Sequence, residues 1–257
     1  MQQIFFNTLL KETVANMNYA LKVENLSKTY TNIKAVDDVS FNLKKGEVFA
    51  LIGSNGAGKT TVLRIAATLL KPTGGDVLVD GISVAKTPAK VREKISYLPD
   101  EAGAYKTMTG IGYLSFMASL FTRDEKRKRE YVEHAIKVCG LGERLNDKVR
   151  GYSRGMIRKL LIARAIMTKP CLAILDEPTS GLDVINALEI RRMIRKLSED
   201  GTSFLISGHN MLEIEHISNR VGIINKGVLC AAGCPDDLKS EYGANNLEEV
   251  FERIANS

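Results

Sequence analysis

One nine-residue stretch, GSNGAGKTT (Gly53 to Thr61), restricts the fold of this chain more than any other. It fits the pattern G-x-x-x-x-G-K-[ST], and it stands between a compact apolar run, FALIG (Phe49 to Gly53), and a helix-like run, GKTTVLRIAATLL (Gly58 to Leu70). That is the strand–loop–helix context of a P-loop, whose glycines let backbone N–H groups converge on phosphate oxygens. The expected nucleotide-binding loop is therefore Gly53, Ser54, Asn55, Gly56, Ala57, Gly58, Lys59, Thr60 and Thr61. Lys59 is placed to reach β- and γ-phosphates, and Thr60 to offer its hydroxyl to Mg²⁺. A chance glycine-rich turn would have no reason to join that strand to that helix.

The pattern on either side extends the same architecture. YALKVENL and AVDDVSFNL, ahead of the loop, read as strands of an N-terminal antiparallel β part, and DVLVDG and KISYLP as further strands. Between Asp100 and Ile166 the spacing changes to helical: MTGIGYLSFMASLF, KREYVEHAIKVCGL and SRGMIRKLLIARAI. Strands return with CLAILD, TSFLIS and RVGIINKGVLCAAG, interleaved with helices at VINALEIRRMIRKLSE and MLEIEHI. Apolar strands alternating with helices imply a mostly parallel sheet covered on both faces. The expected fold is α/β: a P-loop core over residues 19–257 with a helical subdomain inserted at about 100–166. The tail NNLEEVFERI places Leu247, Val250, Phe251 and Ile254 at i, i+3, i+4 and i+7, an amphipathic helix at about 246–255 whose simplest use is docking on its own core.

Composition excludes several other classes. No apolar run approaches the ~18 residues of a membrane span; the most apolar window, IGYLSFMASLF, is too short. The net charge of +6 is spread along the chain. Its densest cluster, TRDEKRKRE, is interrupted by acids and reads as a solvated helix start rather than a nucleic-acid patch. Cys139, Cys171, Cys230 and Cys234 have no framework spacing and read as reduced, mostly buried thiols. The first 18 residues lack the basic start of a signal peptide and read as an appendage.

A second chemical site follows at CLAILDEPTSGLD (Cys171 to Asp183), where an apolar strand delivers two adjacent carboxylates at its C-terminal end. Open α/β sheets bind ligands at that end. Asp176 is the expected Mg²⁺ partner, through water, and Glu177 the general base that polarises an attacking water. A third feature is GYSRGMIRKLLIARA (Gly151 to Ala165), a serine and a glycine at the start of a helix. The first N–H groups of a helix have no partner within it, so a helix start is a place for an anion.

With these motifs in this order the chain resembles the nucleotide-binding subunits of ATP-binding-cassette (ABC) transporters, from about residue 19 onward. The resemblance implies an ATPase that binds ATP and Mg²⁺ and pairs with a second cassette, identical or related, head to tail. It implies separate membrane permease subunits, a position on the inner face of the membrane through them, and no nucleic-acid partner. GYSRGM occupies the place of the family's signature, usually LSGGQ. Ser153 and Gly155 match it, while Arg154 and Met156 replace glycine and glutamine. This implies that the signature helix faces the γ-phosphate held by the partner's P-loop. Three further roles are implied: Tyr30 in LSKTY as the aromatic against adenine, His209 in FLISGHN as the switch histidine beside the γ-phosphate, and Asp183 in SGLD as the loop joining the two sites.

The departure lies at ISYLPDEAGAY. The family usually places a glutamine after the strand, where this chain has Asp100 and Glu101. Aspartate can take Mg²⁺ directly or through water, but it adds charge and has a shorter reach, so a metal role is assigned to Thr60 and Asp176 and left open for Asp100. Ala102, Ala104, Tyr105 and Met108 form an expected apolar patch at the subdomain edge, either packing the subdomain or receiving a permease helix. The DEAGAY loop, YSRGM and NNLEEVFERI resemble the cassettes of small export systems for drugs, antibiotics, sodium or lipid-linked substrates. A soluble ABC ATPase of translation or DNA repair is the alternative. The first type normally has two cassettes in one chain and the second a long coiled coil. A P-loop kinase or GTPase would leave GYSRGM and the DEP–SGLD run without purpose.

Overall fold

The computed structural model describes residues 18–256. The appendage expected at 1–18 lies, apart from Asn18, outside them. Two sheets are layered on a shared helix. The smaller is antiparallel, in the order β2-β1-β4-β5, from β1 (Tyr19–Tyr30), β2 (Ile33–Lys44), β4 (Gly74–Val79) and β5 (Ile82–Ser83). The larger has six strands in the order β10-β9-β3-β8-β7-β6, from β3 (Val48–Ile52), β6 (Ile95–Leu98), β7 (Leu172–Leu175), β8 (Ser203–Gly208), β9 (Arg220–Asn225) and β10 (Val228–Gly233). All its neighbours are parallel except the β9–β10 hairpin. The fold is thus the expected α/β arrangement.

Central strands β3, β7 and β8 are buried along their whole length. That is why they read as continuous apolar runs rather than alternating ones. Helix α1 (Lys59–Ala66) lies between the sheets, against β2 and β4 on one side and β7 and β8 on the other. Val62, Leu63, Ile65 and Ala66 are accordingly buried around most of its circumference. The two layers also meet where Phe41 of β2 stacks on Phe49 of β3, with ring centroids 4.6 Å apart.

The expected helix over Gly58 to Leu70 stops at Ala66. Thr68 takes a left-handed conformation (φ 63°), and Leu69 N–H turns back to the Arg64 carbonyl at 2.8 Å. This is a chain-reversing C-cap in which threonine holds the place usually given to glycine. The apolar residues beyond it serve the cap rather than the helix.

After β6 come α3 (Gly110–Phe121) and α4 (Glu125–Cys139), with α2 (Pro88–Arg92) before it and α5 (Arg154–Ile166) after two short 3-10 turns. Asp124 caps α4 by accepting from the N–H groups of Lys126 and Arg127, so the basic cluster that follows is the solvated first turn of that helix. Four helices complete the chain: α6 (Val184–Glu199), α7 (Met211–Glu215), α8 (Pro235–Tyr242) and α9 (Leu247–Ala255). Leu247, Val250 and Ile254 of α9 are buried in the core beneath the large sheet. One cysteine expectation is corrected: Cys139 is buried and Cys171 half-buried, but Cys230 and Cys234 are exposed, on the edge hairpin and at the start of α8. Among the described residues no helix is long and apolar enough to cross a membrane.

Candidate functional site

The loop between β3 and α1 folds as a cradle because its glycines reach backbone shapes and spaces that other residues do not. Gly56 and Gly58 have φ of 80° and 108°. A Cβ on Gly58 would overlap the carbonyl oxygen of Ala35, whereas one on Gly56 would meet nothing. Gly58 is therefore needed for both conformation and close packing, and Gly56 for conformation alone. The cradle opens into a cleft of about 370 Å³ lined by Ala35, residues 55–61, Asp100, Asp176, Glu177 and His209.

The chemical groups arrive from the start of α1 and from the ends of β7 and β8. Lys59, at the start of α1, is 6% exposed and donates from Nζ to the carbonyls of Gly53 (2.8 Å) and Ser54 (3.1 Å). Burial pushes its pKa down, opposed by the carboxylates of Glu177 and Asp176. An arriving anion would favour the charged ammonium again. Thr60 Oγ1 donates to Asp176 Oδ1 at 3.3 Å. This hydroxyl and carboxylate are hard oxygen donors of the kind Mg²⁺ takes, and they face the cleft together.

Asp176 and Glu177 follow β7. Asp176 is buried and accepts from Ser207 Oγ at 2.5 Å, while Ser207 Oγ in turn accepts from the Glu177 N–H at 3.0 Å. Ser207 therefore ties both acids to β8. Sequence reasoning passed it over, although its signal was legible as the one polar residue in the buried run FLIS. Glu177 itself has φ 50°, a left-handed conformation uncommon outside glycine, which turns its carboxylate toward the cleft mouth. There His209 Nδ1, two residues after Ser207, lies 2.8 Å from Glu177 Oε2. On β6, burial first and the charge of Asp176 next push the pKa of the Tyr97 hydroxyl up, against a smaller opposing effect of Arg64.

Not every expected residue reaches this cleft. Tyr30 ends β1, stands partly exposed outside the cleft lining, and has Lys28 Nζ 5.2 Å from its ring centroid. Asp100 lines the cleft but is paired from the other side, with Arg158 Nη2 3.6 Å from its Oδ1. Arg158 is buried on α5, so this contact joins α5 to the cleft wall.

Ser153, Arg154, Gly155, Met156 and Asp183 line none of the cleft. Ser153 caps α5 by accepting from Met156 N–H at 3.2 Å. Gly155 is buried, and a Cβ there would overlap the side-chain amide of Asn186. Asn186 is held by Asp183, which caps α6 through the Asn186 N–H (2.9 Å) and also accepts from its side-chain nitrogen (2.6 Å). Those hydrogen bonds, the backbone one first, lower the Asp183 pKa. Asn186 is a second residue that sequence reasoning missed, since its partner is remote in the chain.

Comparison with known proteins matches the ABC transporter family model over residues 36–180. The linearmycin resistance ATP-binding protein LnrL of Bacillus subtilis is 37% identical over 232 residues, covering 90% of this chain and 74% of that protein. The daunorubicin/doxorubicin resistance ATP-binding protein DrrA of Streptomyces peucetius is 36% identical, covering 89% and 69%. Among solved structures, a dimeric ATP-binding cassette in a post-hydrolysis state, bound to ADP and Pi, superposes with a TM-score of 0.73 at 27% identity, covering 83% of this chain and 98% of that one.

Proposed function

The chain belongs to the ABC transporter family, as one of its ATP-binding and ATP-hydrolysing subunits, and from that premise we propose which residues run its cycle and what they drive. The observation that carries the proposal is the convergence on one cleft of Lys59 and Thr60, from the start of α1, with Asp176, Glu177 and His209, from the ends of β7 and β8. The loop from Gly53 to Thr61 cradles the phosphates, Lys59 neutralises the β- and γ-phosphates, and the Tyr30 ring lies against adenine. Thr60 and Asp176 would hold Mg²⁺, which would supply charge neutralisation for the phosphates. Glu177 takes the proton of the attacking water, and the hydrogen bond from His209 keeps that carboxylate aimed.

A second cassette completes each site. Ser153 and Gly155 present the start of α5 to the nucleotide held by the partner, and Asp183 links the two sites. ATP closes the pair because it binds the closed state more tightly than the open one. Hydrolysis removes the phosphate that favours closure.

The force is passed to a separate permease, which holds this subunit at the inner membrane face. Of the patch expected at the subdomain edge, Tyr105 is exposed, whereas Ala102, Ala104 and Met108 are half-buried in packing. Tyr105 meets Phe116 edge to face at 5.7 Å, and Leu120, one turn further along α3, is also exposed. An exposed apolar face of this kind is a fitting seat for a permease segment. The resistance names of the relatives support export, and they favour this reading over a soluble ATPase of translation or repair.

The test is the mass of the Glu177→Gln protein in solution by light scattering, with and without MgATP. Conversion from monomer to dimer on adding MgATP is expected. A monomer that has nonetheless bound ATP would count against completion of the site by Ser153 and Gly155.

A further inference from the structure

A second cavity, of about 390 Å³, lies where the C-terminal half of α4 and Lys159 of α5 meet the last two-thirds of α6. It shares no lining residue with the nucleotide cleft. Val138, Cys139, Met193 and Leu197 give it an apolar floor. Burial pushes the Cys139 thiol up to about 12, so that residue acts as a small hydrophobe.

The walls are cationic. Lys159 is neutralised by Glu189 at 2.7 Å. Lys137, Arg192 and Lys196 have no ion-pair or side-chain hydrogen-bond partner among the described residues, and Asp200 is the one other carboxylate of the lining. His134, also in the wall, has its pKa lowered by burial and then by Lys169 and Lys137, against a smaller opposing pull from Asp200.

An apolar floor under unpaired cations selects a ligand with both characters. We propose that this cavity is a regulatory site for a small amphiphilic anion, an apolar chain or ring bearing one carboxylate, sulfate or phosphate. Its body lies on Met193 and Leu197 and its head meets Arg192 and Lys196. The volume is near the lower end of the ~300–1,000 Å³ of ligand pockets, which suits a compact molecule and not a two-tailed lipid.

Binding would join α4 and α5 to α6. Because α5 also carries Ser153 to Met156, occupancy sets how far the signature helix moves against the core, and with it the rate of turnover. This effect on turnover rests on the function proposed above; the binding does not.

The test is calorimetric titration of the full chain with decanoate, with decyltrimethylammonium and decanol as probes of the same tail. Saturable one-to-one binding of decanoate alone is expected, with a change in ATP turnover. The double variant Arg192→Glu, Lys196→Glu should weaken it by about tenfold or more, and Met193→Trp, which fills the floor, should abolish it. Both variants should keep the thermal midpoint and the affinity for a fluorescent ATP analogue. Absence of saturable binding, equal binding of the cationic or neutral probe, or full affinity in the charge-reversed protein would overturn the site. Binding to phosphatidylglycerol vesicles without binding of free decanoate would overturn it too. Decanoate binding that leaves turnover unchanged would keep the site and refute its regulatory role.

Discussion

His209 Nδ1 lies 2.8 Å from Oε2 of Glu177, across the ends of neighbouring strands β8 and β7. An ionised carboxylate only accepts, so Nδ1 carries the hydrogen and Nε2 remains free for another partner. The histidine is thus placed to orient the glutamate, and in the function proposed above it does so without taking its place as base.

Glu177→Gln preserves shape and removes the basic oxygen pair. Turnover should fall by about 10²–10⁴-fold, while affinity for a fluorescent ATP analogue stays near that of the natural chain. Phosphate release and analogue titration measure the two quantities separately. Turnover within a few-fold of normal would remove Glu177 as the base.

Ser207→Ala deletes the hydroxyl shared by Asp176 and the Glu177 N–H. Leaving that partly buried N–H unpaired should cost about 1 kcal/mol, read as a lower urea midpoint at unchanged slope. Turnover should drop as well, since both acids lose their tether to β8. An unchanged midpoint would mean that water or a neighbour replaces the hydroxyl at no cost.

Gly155→Ala inserts a methyl group where the Asn186 amide already lies. Overpacking of this kind costs about 1–3 kcal/mol. Adding Asn186→Ala should restore much of the loss, because the Asp183 cap on the backbone of residue 186 survives. A double variant no more stable than Gly155→Ala would show that the glycine is required for some other reason.

His134 makes stability depend on pH in a definite direction. Its folded pKa is lowered, by burial first and by Lys169 and Lys137 next, so the unfolded chain binds the proton more readily. The contribution is fully present above the unfolded value of about 6.5 and is lost as pH falls through the lower folded value. His134→Gln should flatten that part of the stability profile, measured by urea unfolding from pH 7.5 to 5. A slope identical to that of the natural chain would exclude His134 as its source.

The strands, the phosphate loop and the paired acids were legible because each is written in contiguous residues with a fixed period or spacing. What escaped depends on residues distant in sequence. Asn186 against Gly155 is a side-chain meeting between elements that no local pattern announces, and for Ser207, the lone polar residue of the run FLIS, the pattern marks the residue but not its partner Asp176. The early stop of α1 shows the converse, an apolar run that looked helical while Thr68 and Leu69 were already forming a cap. The exposure of Cys230 and Cys234 follows from edge positions that a count of cysteines does not reveal.

The pairing of Asp100 with buried Arg158 couples two distant positions of the chain. A glutamine at position 100, the residue usual in the family, would leave the guanidinium without its carboxylate inside the helical layer, and stranding a buried charge is disfavoured. The side chains at positions 100 and 158 are therefore expected to be matched to each other. Positions 100 and 158, 58 residues apart in the chain, thus form one coupled pair, and a change at either is felt at the other.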